Sequence, residues 1–376
     1  MSKFNLNNEH ELIDRQNNYV LDRKLITIHS EDRDIKKWPN PNTFEIQLPE
    51  AMINVQSIRL VEISLPSNYY VFSNQYQNTK FSFDLDPSSN SPIATDISSG
   101  KWNKIDPIII DEGFYTPSQM ENELKNKMNK AVIHTAYGTT VPTASYEYFK
   151  VHYDEVAQKM WIGNPLDNFR LAFNQRENYT KLENCVNPNV WEQYTKWGLP
   201  SYLGYEKKSY EAIDGGGEAI VFDYHDPPIT FVDASNGTGP YYTESDNTIC
   251  MFGESAIYME VDKYNSMDEL VPYSESTSNM YNNDYNGSVN ASFAKIPVIH
   301  LPHSQIFESR NDFIQNMSHY HPPIDKIRKL KFRFRYHDGR LVDFRKCNFN
   351  FTISFYMLRD EIAREYNLRT PGTYTL

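Results

Sequence analysis

The sequence has few of the features that announce chemistry. Only three cysteines stand in its 376 residues, Cys185, Cys250 and Cys347, far apart and odd in number. They imply no zinc spacing, redox pair or disulfide framework. Reduced, partly buried thiols in a cytoplasmic compartment are the expectation. No apolar run approaches the length that crosses a bilayer, and the opening MSKFNLNNEHELIDRQNNY is too polar for a signal peptide. Gly-x-Ser-x-Gly, His-Glu-x-x-His and the P-loop are absent. Gly215-Gly216-Gly217 leads into no Lys-Ser/Thr pair, so it reads as a turn and not a phosphate loop. The expectation is a protein that is no enzyme and takes no cofactor or metal. Cations are also in deficit. A net charge of −12 argues against a generic nucleic-acid coat, because affinity for phosphate needs clustered cations.

Aromatic residues are plentiful. Hydrophobic content is only 39%, yet 27 Tyr and 21 Phe raise the aromatic share to 14%. Disordered chains are aromatic-poor, so the polarity points instead to sheets filled by Tyr and Phe, joined by polar loops. Phe44, Ile46 and Leu48 alternate with Glu45 and Gln47, the period of a strand with one buried face. Pro39, Pro41 and Pro49 bracket that strand, and Ile58 to Leu65 reads as a second one closed by Pro66. Leu25–His29 begins the folded body, and further strands are predicted at Lys80–Leu85, Ile108–Asp111, Phe169–Phe173 and Ala256–Val261. A hairpin is predicted to join Phe149–Tyr153 to Met160–Ile162 across Asp154–Lys159.

One helix is clear. Thr116 is placed as its N-cap, Pro117 takes the first helical position and Gln119 completes a capping box. Met120, Leu124 and Met128 form a stripe for packing on a sheet, over about 117–132. Near the C-terminus Leu330, Phe332, Phe334 and Tyr336 alternate with Lys329, Lys331, Arg333 and Arg335. Asp338-Gly339 then supplies a tight turn to a return strand carrying Phe349, Phe351, Ile353 and Phe355. Tyr273 to Ser292 is nearly free of aliphatics and reads as a long exposed loop.

The fold class implied is mainly β, a jelly-roll-like antiparallel β-sandwich with one inserted helix and long polar loops. An N-terminal arm is expected over 1–22 and a C-terminal tail over 361–376. The body, 23–360, is expected to carry an α+β insertion at about 106–175 and a loop-rich one at about 180–295.

Three motifs in order carry a resemblance. They are Ser30–Asp34 with Trp38-Pro39-Asn40-Pro41-Asn42-x-Phe44 and Val55-x-x-Ile58-Arg59-Leu60; then Glu112–Thr116 opening the helix; then Lys329–Phe344 with Phe349–Phe355. This order resembles minor capsid and penton-type virion structural proteins of nucleocytoplasmic large DNA viruses, mimivirus-like and algal giant viruses among them, over about 25–175 and 295–360. The resemblance implies a capsid protein that acts by surface complementarity. Its implied partners are other capsid proteins, a major capsid protein included, and further copies of itself. Its implied location is the virion, assembled in the host cytoplasm.

The candidate site is the basic strand. From Asp325 to Lys346 nine Lys/Arg stand against three Asp, and Lys329, Lys331, Arg333 and Arg335 are expected to project from one sheet face. That stripe is a candidate subunit-docking face for an acidic neighbour. Genome contact is the lesser alternative and a solvated outer face the plain one. Two weaker candidates are set aside. Ser30–Asp34 lacks the glycine of a calcium loop, so its acids are expected to hold a turn with Arg33 bridging to them. His300, His303, His319 and His321 are interleaved with prolines and read as a polar loop. A rival of another class is a β-sandwich that binds glycan or a receptor through Tyr241, Tyr242, Tyr281 and Tyr285.

Overall fold

The computed structural model describes residues 21–66, 70–138, 145–174, 197–224, 227–233, 239–270, 289–298, 306–309, 317–337 and 339–358. The expected arm and tail lie outside these residues, except that Leu21 and Asp22 open the first strand. The described chain divides into two compact units: 21–66 with 254–270 and 289–358, and 70–253. The inserted unit thus begins and ends elsewhere than the two insertions expected at 106–175 and 180–295.

The first unit opens with β1 (Leu21–His29) and β2 (Thr43–Pro66). The second unit begins with β3 (Lys80–Phe81), β4 (Phe83–Asp86), β5 (Asn103–Lys104), β6 (Ile108–Ile109) and helix α1 (Pro117–Tyr137). It continues with β7 (Lys150–Asp154), β8 (Lys159–Asn164), β9 (Asn168–Ala172) and the one-turn helix α2 (Leu199–Tyr202). Five short strands end it: β10 (Ser209–Glu211), β11 (Ile213–Asp214), β12 (Ile220–Phe222), β13 (Ile229–Val232) and β14 (Tyr241–Glu244). The first unit resumes with β15 (Ala256–Val261), β16 (Met267–Leu270), β17 (Val289–Ser292) and β18 (Ala294–Pro297). It closes with β19 (Ile306–Ser309), β20 (Met317–Arg335) and β21 (Asn350–Leu358). The described residues are mainly β, with antiparallel sheets and a single long helix, as the patterning predicts.

The first unit is built on one seven-stranded sheet, in the order β1-β21-β2-β20-β15-β18, with β19 also paired to β2. Its axis is the pair β2 and β20. The two strands expected on either side of Pro49 are one continuous strand. Pro49 is tolerated because pairing jumps there from Gln47↔Lys329 to Met52↔Ile327, so its missing N–H breaks no ladder bond. A second jump, from Val55↔Ile324 to Ser57↔His319, places Pro322 and Pro323 in the surplus of β20. Each irregularity bends its strand. The bends bring rings from the two halves of the sheet together: Phe332 pairs with Phe44 and Phe351 with Ile63, yet the Phe332 and Phe351 rings meet at 4.9 Å. Phe44, Phe334 and Phe349 complete this layer, all buried.

The Asp338-Gly339 turn does not join adjacent strands. β2 lies between β20 and β21. Gly339, at φ +86°, turns the chain back only far enough for Leu341 to bridge Arg335. The chain then leaves for the far side of β2, because β21 is needed to cover the other half of that strand. The expected contributions of Phe332, Phe334, Phe351 and Ile353 to the core hold, all four being buried. The loop expected over Tyr273–Ser292 lies outside the described residues up to 288, and Val289–Ser292 is strand β17, paired with β16.

In the second unit the capping box of α1 is formed. Gln119 N donates to Thr116 Oγ1 at 3.3 Å, and Thr116 N donates to Gln119 Oε1 at 3.0 Å. Met120, Leu124 and Met128 are fully buried among Phe83, Phe149 and Phe169. The helix runs five residues past the expected end and stops at Gly138, at φ +66°, whose N–H bonds the His134 carbonyl. Buried Asn129 donates to the Phe149 carbonyl and accepts from its N–H, tying helix to sheet. The predicted hairpin of β7 and β8 is present, with Asp154 Oδ1 accepting from Val156 and Ala157 N–H.

Thr116→Ala removes one cap bond and should cost about 1 kcal/mol, read as a lower Tm with the fold intact. Phe334→Ala opens a cavity in the sealed aromatic layer and should cost about 3–5 kcal/mol, read in denaturant unfolding.

Candidate docking surfaces

On β20 the even positions Leu330, Phe332 and Phe334 point into the core, which turns the intervening side chains outward. Lys329 and Arg333 are exposed and Lys331 half-exposed. Lys329 Nζ lies 3.4 Å from Glu45 Oε1 on β2, and Arg333 Nη1 lies 3.3 Å from Glu260 Oε2 on β15. Lys331 Nζ stands 5.6 Å over the Trp38 ring, which Lys37 Nζ also approaches at 5.3 Å. Such cation–π contacts keep Trp38 on the surface as an apolar centre among cations.

Arg335 departs from the stripe. It is only 3% exposed and reaches Glu260 Oε1 through Nε at 2.5 Å and Glu269 Oε2 through Nη1 at 2.8 Å. Its guanidinium lies 5.2 Å from the Tyr258 ring centre, and His337 Nδ1 contacts the other oxygen of Glu269. Burial works against its charge, but the hydrogen bonds it donates to Glu260 and Glu269 outweigh that and hold its pKa above the ordinary value. The expectation that all four cations share an open face is corrected to three. The partners that bury the fourth come from β15 and β16, far away in sequence.

Three smaller expectations are also revised. Arg33 does not bridge acids: it is buried, and donates to the carbonyls of Ser30, Trp38 and Pro39 and to Asn348 Oδ1 at 2.5, 2.9, 3.3 and 2.9 Å. Asp34 does hold the turn, accepting from Lys36 and Lys37 N–H. His319 and His321 sit on strand β20 and not on a loop, because the bulge absorbs Pro322 and Pro323; His300 and His303 lie outside the described residues. Tyr241 and Tyr242 belong to β14. Tyr242 stacks on Trp161 at 5.6 Å and 19°, and Tyr241 packs on the core, so neither is a free loop tyrosine. Tyr281 and Tyr285 lie outside the described residues.

A second surface was missed, though the sequence signals it. From Ser209 to Gly253 there are eight acids and no Lys or Arg. Glu211, Asp214, Glu218, Asp223 and Asp233 are exposed, and none of them enters an ion pair among the described residues. The β12–β13 hairpin lies over β8: a Cβ on Gly163 would come within 2.5 Å of Val232 Cγ2. Phe222, Phe231 and Val232 are buried beneath it, which leaves Val221 and Ile229 on the outer side at 41% and 38% exposure, with Ile213 at 54%.

The second unit also holds a buried polar cluster. Asp167 accepts from the Tyr146 hydroxyl at 2.6 Å, Ser91 Oγ at 2.9 Å and Ser88 N at 2.9 Å. Burial raises the Asp167 carboxyl, and burial together with the Asp167 charge raises the Tyr146 phenol. Both groups are sealed from solvent, so the cluster pins loops and faces no substrate. Among the described residues no three His, Cys, Asp or Glu gather as a metal ion requires.

Arg335→Gln takes the guanidinium from the buried carboxylate of Glu269, while Glu260 keeps Arg333. Removing one partner of a buried ion pair costs about 3–5 kcal/mol, whereas Lys329→Gln should cost no more than about 1 kcal/mol. Chemical denaturation of the two variants separates them.

A family model matches residues 16–148, and its description is a family of unknown function (DUF5901). No curated protein matches the chain. Among solved structures, the chain is similar to one from the 3.5 Å cryo-EM structure of the Sputnik virophage. Identity there is 9% and the TM-score 0.41, covering 89% of this chain and 98% of that one. It is also similar to the mavirus penton protein, solved as a selenomethionine-labelled crystal. Here identity is 10% and the TM-score 0.37, covering 90% of this chain and 100% of that one.

Proposed function

We propose that this chain is a non-enzymatic structural component of a large DNA virus capsid, a minor capsid or penton protein. It acts through contacts with other capsid proteins, a major capsid protein among them, and with copies of itself. It resides in the virion after assembly in the host cytoplasm. One observation carries the reading: Lys329, Lys331 and Arg333 stand with Trp38 on the outer side of a sheet whose inner side is closed by phenylalanine. Cations around an aromatic centre suit docking on an acidic neighbour, since charge steers the encounter and rejects wrong partners. The ordered motifs of the sequence point the same way. Genome contact is disfavoured by Glu45 and Glu260, which stand within the stripe and repel phosphate. The glycan-binding alternative loses Tyr241 and Tyr242 as free stacking platforms.

Replacing Lys329, Lys331 and Arg333 together by Gln should leave Tm within a degree or so, because exposed charges contribute roughly 0–1 kcal/mol each. The copy number of the variant in purified virions should fall. Normal copy number with genome retained would reduce the stripe to a solvated face. Loss of genome alone would transfer it to packaging.

A further inference from the structure

The proposed function leaves the partner of the basic face open, and the second surface supplies one. We propose that the cationic face of one copy, Lys329, Lys331 and Arg333 with the Ile35–Trp38 turn, docks on the acidic β12–β13 hairpin face of a second copy. The inference rests on the docking reading above and assigns its partner.

The two faces are complementary in both of the properties that make an interface. Each has an apolar centre. On the basic side Ile35, in the turn closed by the Trp38 N–H to Asp34 carbonyl bond, is 61% exposed. On the acidic side Val221 and Ile229 lie open on the hairpin that carries Phe222 and Phe231, and Ile213 is open on β11, opposite Tyr242. Exposed aliphatics grouped within a polar rim mark a contact surface more than scattered ones do. The rims are opposite in charge. Lys36, Lys37, Lys329, Lys331 and Arg333 outnumber Asp34, Glu45 and Glu260 on one. On the other stand Glu211, Asp214, Glu218, Asp223 and Asp233, with no Lys or Arg between Ser209 and Gly253, and Arg170, opposite Glu211 on β9, is taken up by Asp84. Opposed rims steer association and fix its register. Like faces repel, so two basic faces or two hairpin faces cannot pair. The contact is therefore heterologous, head to tail, and its repetition closes a ring or extends a chain.

The rim charges allow a reciprocal test on the full chain. One variant reverses the basic rim (Lys329→Glu, Lys331→Glu, Arg333→Glu); the other reverses the acidic rim (Glu211→Lys, Glu218→Lys, Asp223→Lys). Both sets lie at the surface, Lys331 half-exposed and the others open, and matched Tm and circular dichroism show that each variant folds. By sedimentation at low salt the wild type should self-associate with rising concentration, and added salt should weaken it. Each variant alone should associate at least roughly tenfold more weakly, since its two faces now repel. Mixed together, the variants should recover association, because every face then meets its opposite.

A wild type that stays monomeric, a reversed variant that associates like the wild type, or a mixture that stays dissociated overturns the assignment. The virion copy number of the Gln triple variant separates the two readings. If incorporation falls while the wild type never self-associates, docking stands and only the second copy is wrong. If neither incorporation nor self-association depends on the rim, both fall.

Discussion

The first unit depends on the ladder between β2 and β20. Each strand is too long to remain straight, and each takes up extra residues where the other does not: β2 between Gln47 and Met52, β20 between His319 and Ile324. The compensation keeps the apolar side chains of both strands facing inward on either side of each jump. A surplus on one strand alone would turn the alternation over and expose Phe44 or Ile58. The prolines sit where the ladder is already open, so they cost no hydrogen bond. The seven-stranded sheet can thus bend until Phe351 packs on Phe332.

Side-chain traffic on the outer face follows from the same ladder. β20 is flanked by β2 on one side and β15 on the other, which sets Glu45 and Glu260 beside its cations. Toward the end of β20 the β16–β17 ladder supplies Glu269, so Arg335 is enclosed while Arg333 remains open. Two residues of the same kind, two positions apart on one strand, therefore serve different ends. One holds β16 to the sheet and the other pairs with Glu260 at the surface.

Local chemistry was legible in the sequence. The Thr116 cap, the Met120–Leu124–Met128 stripe, the Asp154 hairpin and strand Ala256–Val261 all stand where composition and period put them. Each is decided within a few residues. Long-range order was not legible. Nothing in the Asp338-Gly339 turn reveals that β2 lies between the strands on either side of it, because that depends on which half of β2 still needs covering. The burial of Arg335 was hidden for the same reason, its carboxylates coming from distant strands. Proline misled twice, since its usual place at strand ends also describes a bulge. The acidic run from Ser209 to Gly253 was open to reading; its weight comes only from the exposed aliphatics that the hairpin sets among the charges.

Arg33 has a consequence for how this surface can change. The guanidinium holds the 30–39 turn through three main-chain carbonyls and Asn348, and Ser30 fixes Phe349 through both its backbone and its hydroxyl. None of those bonds uses the side chains of Ile35, Lys36 or Lys37. The path of the turn is thus separated from the identity of the residues it displays. Substitutions there can alter what the turn displays without disturbing its scaffold, so the surface can diversify while the sheet beneath it remains the same.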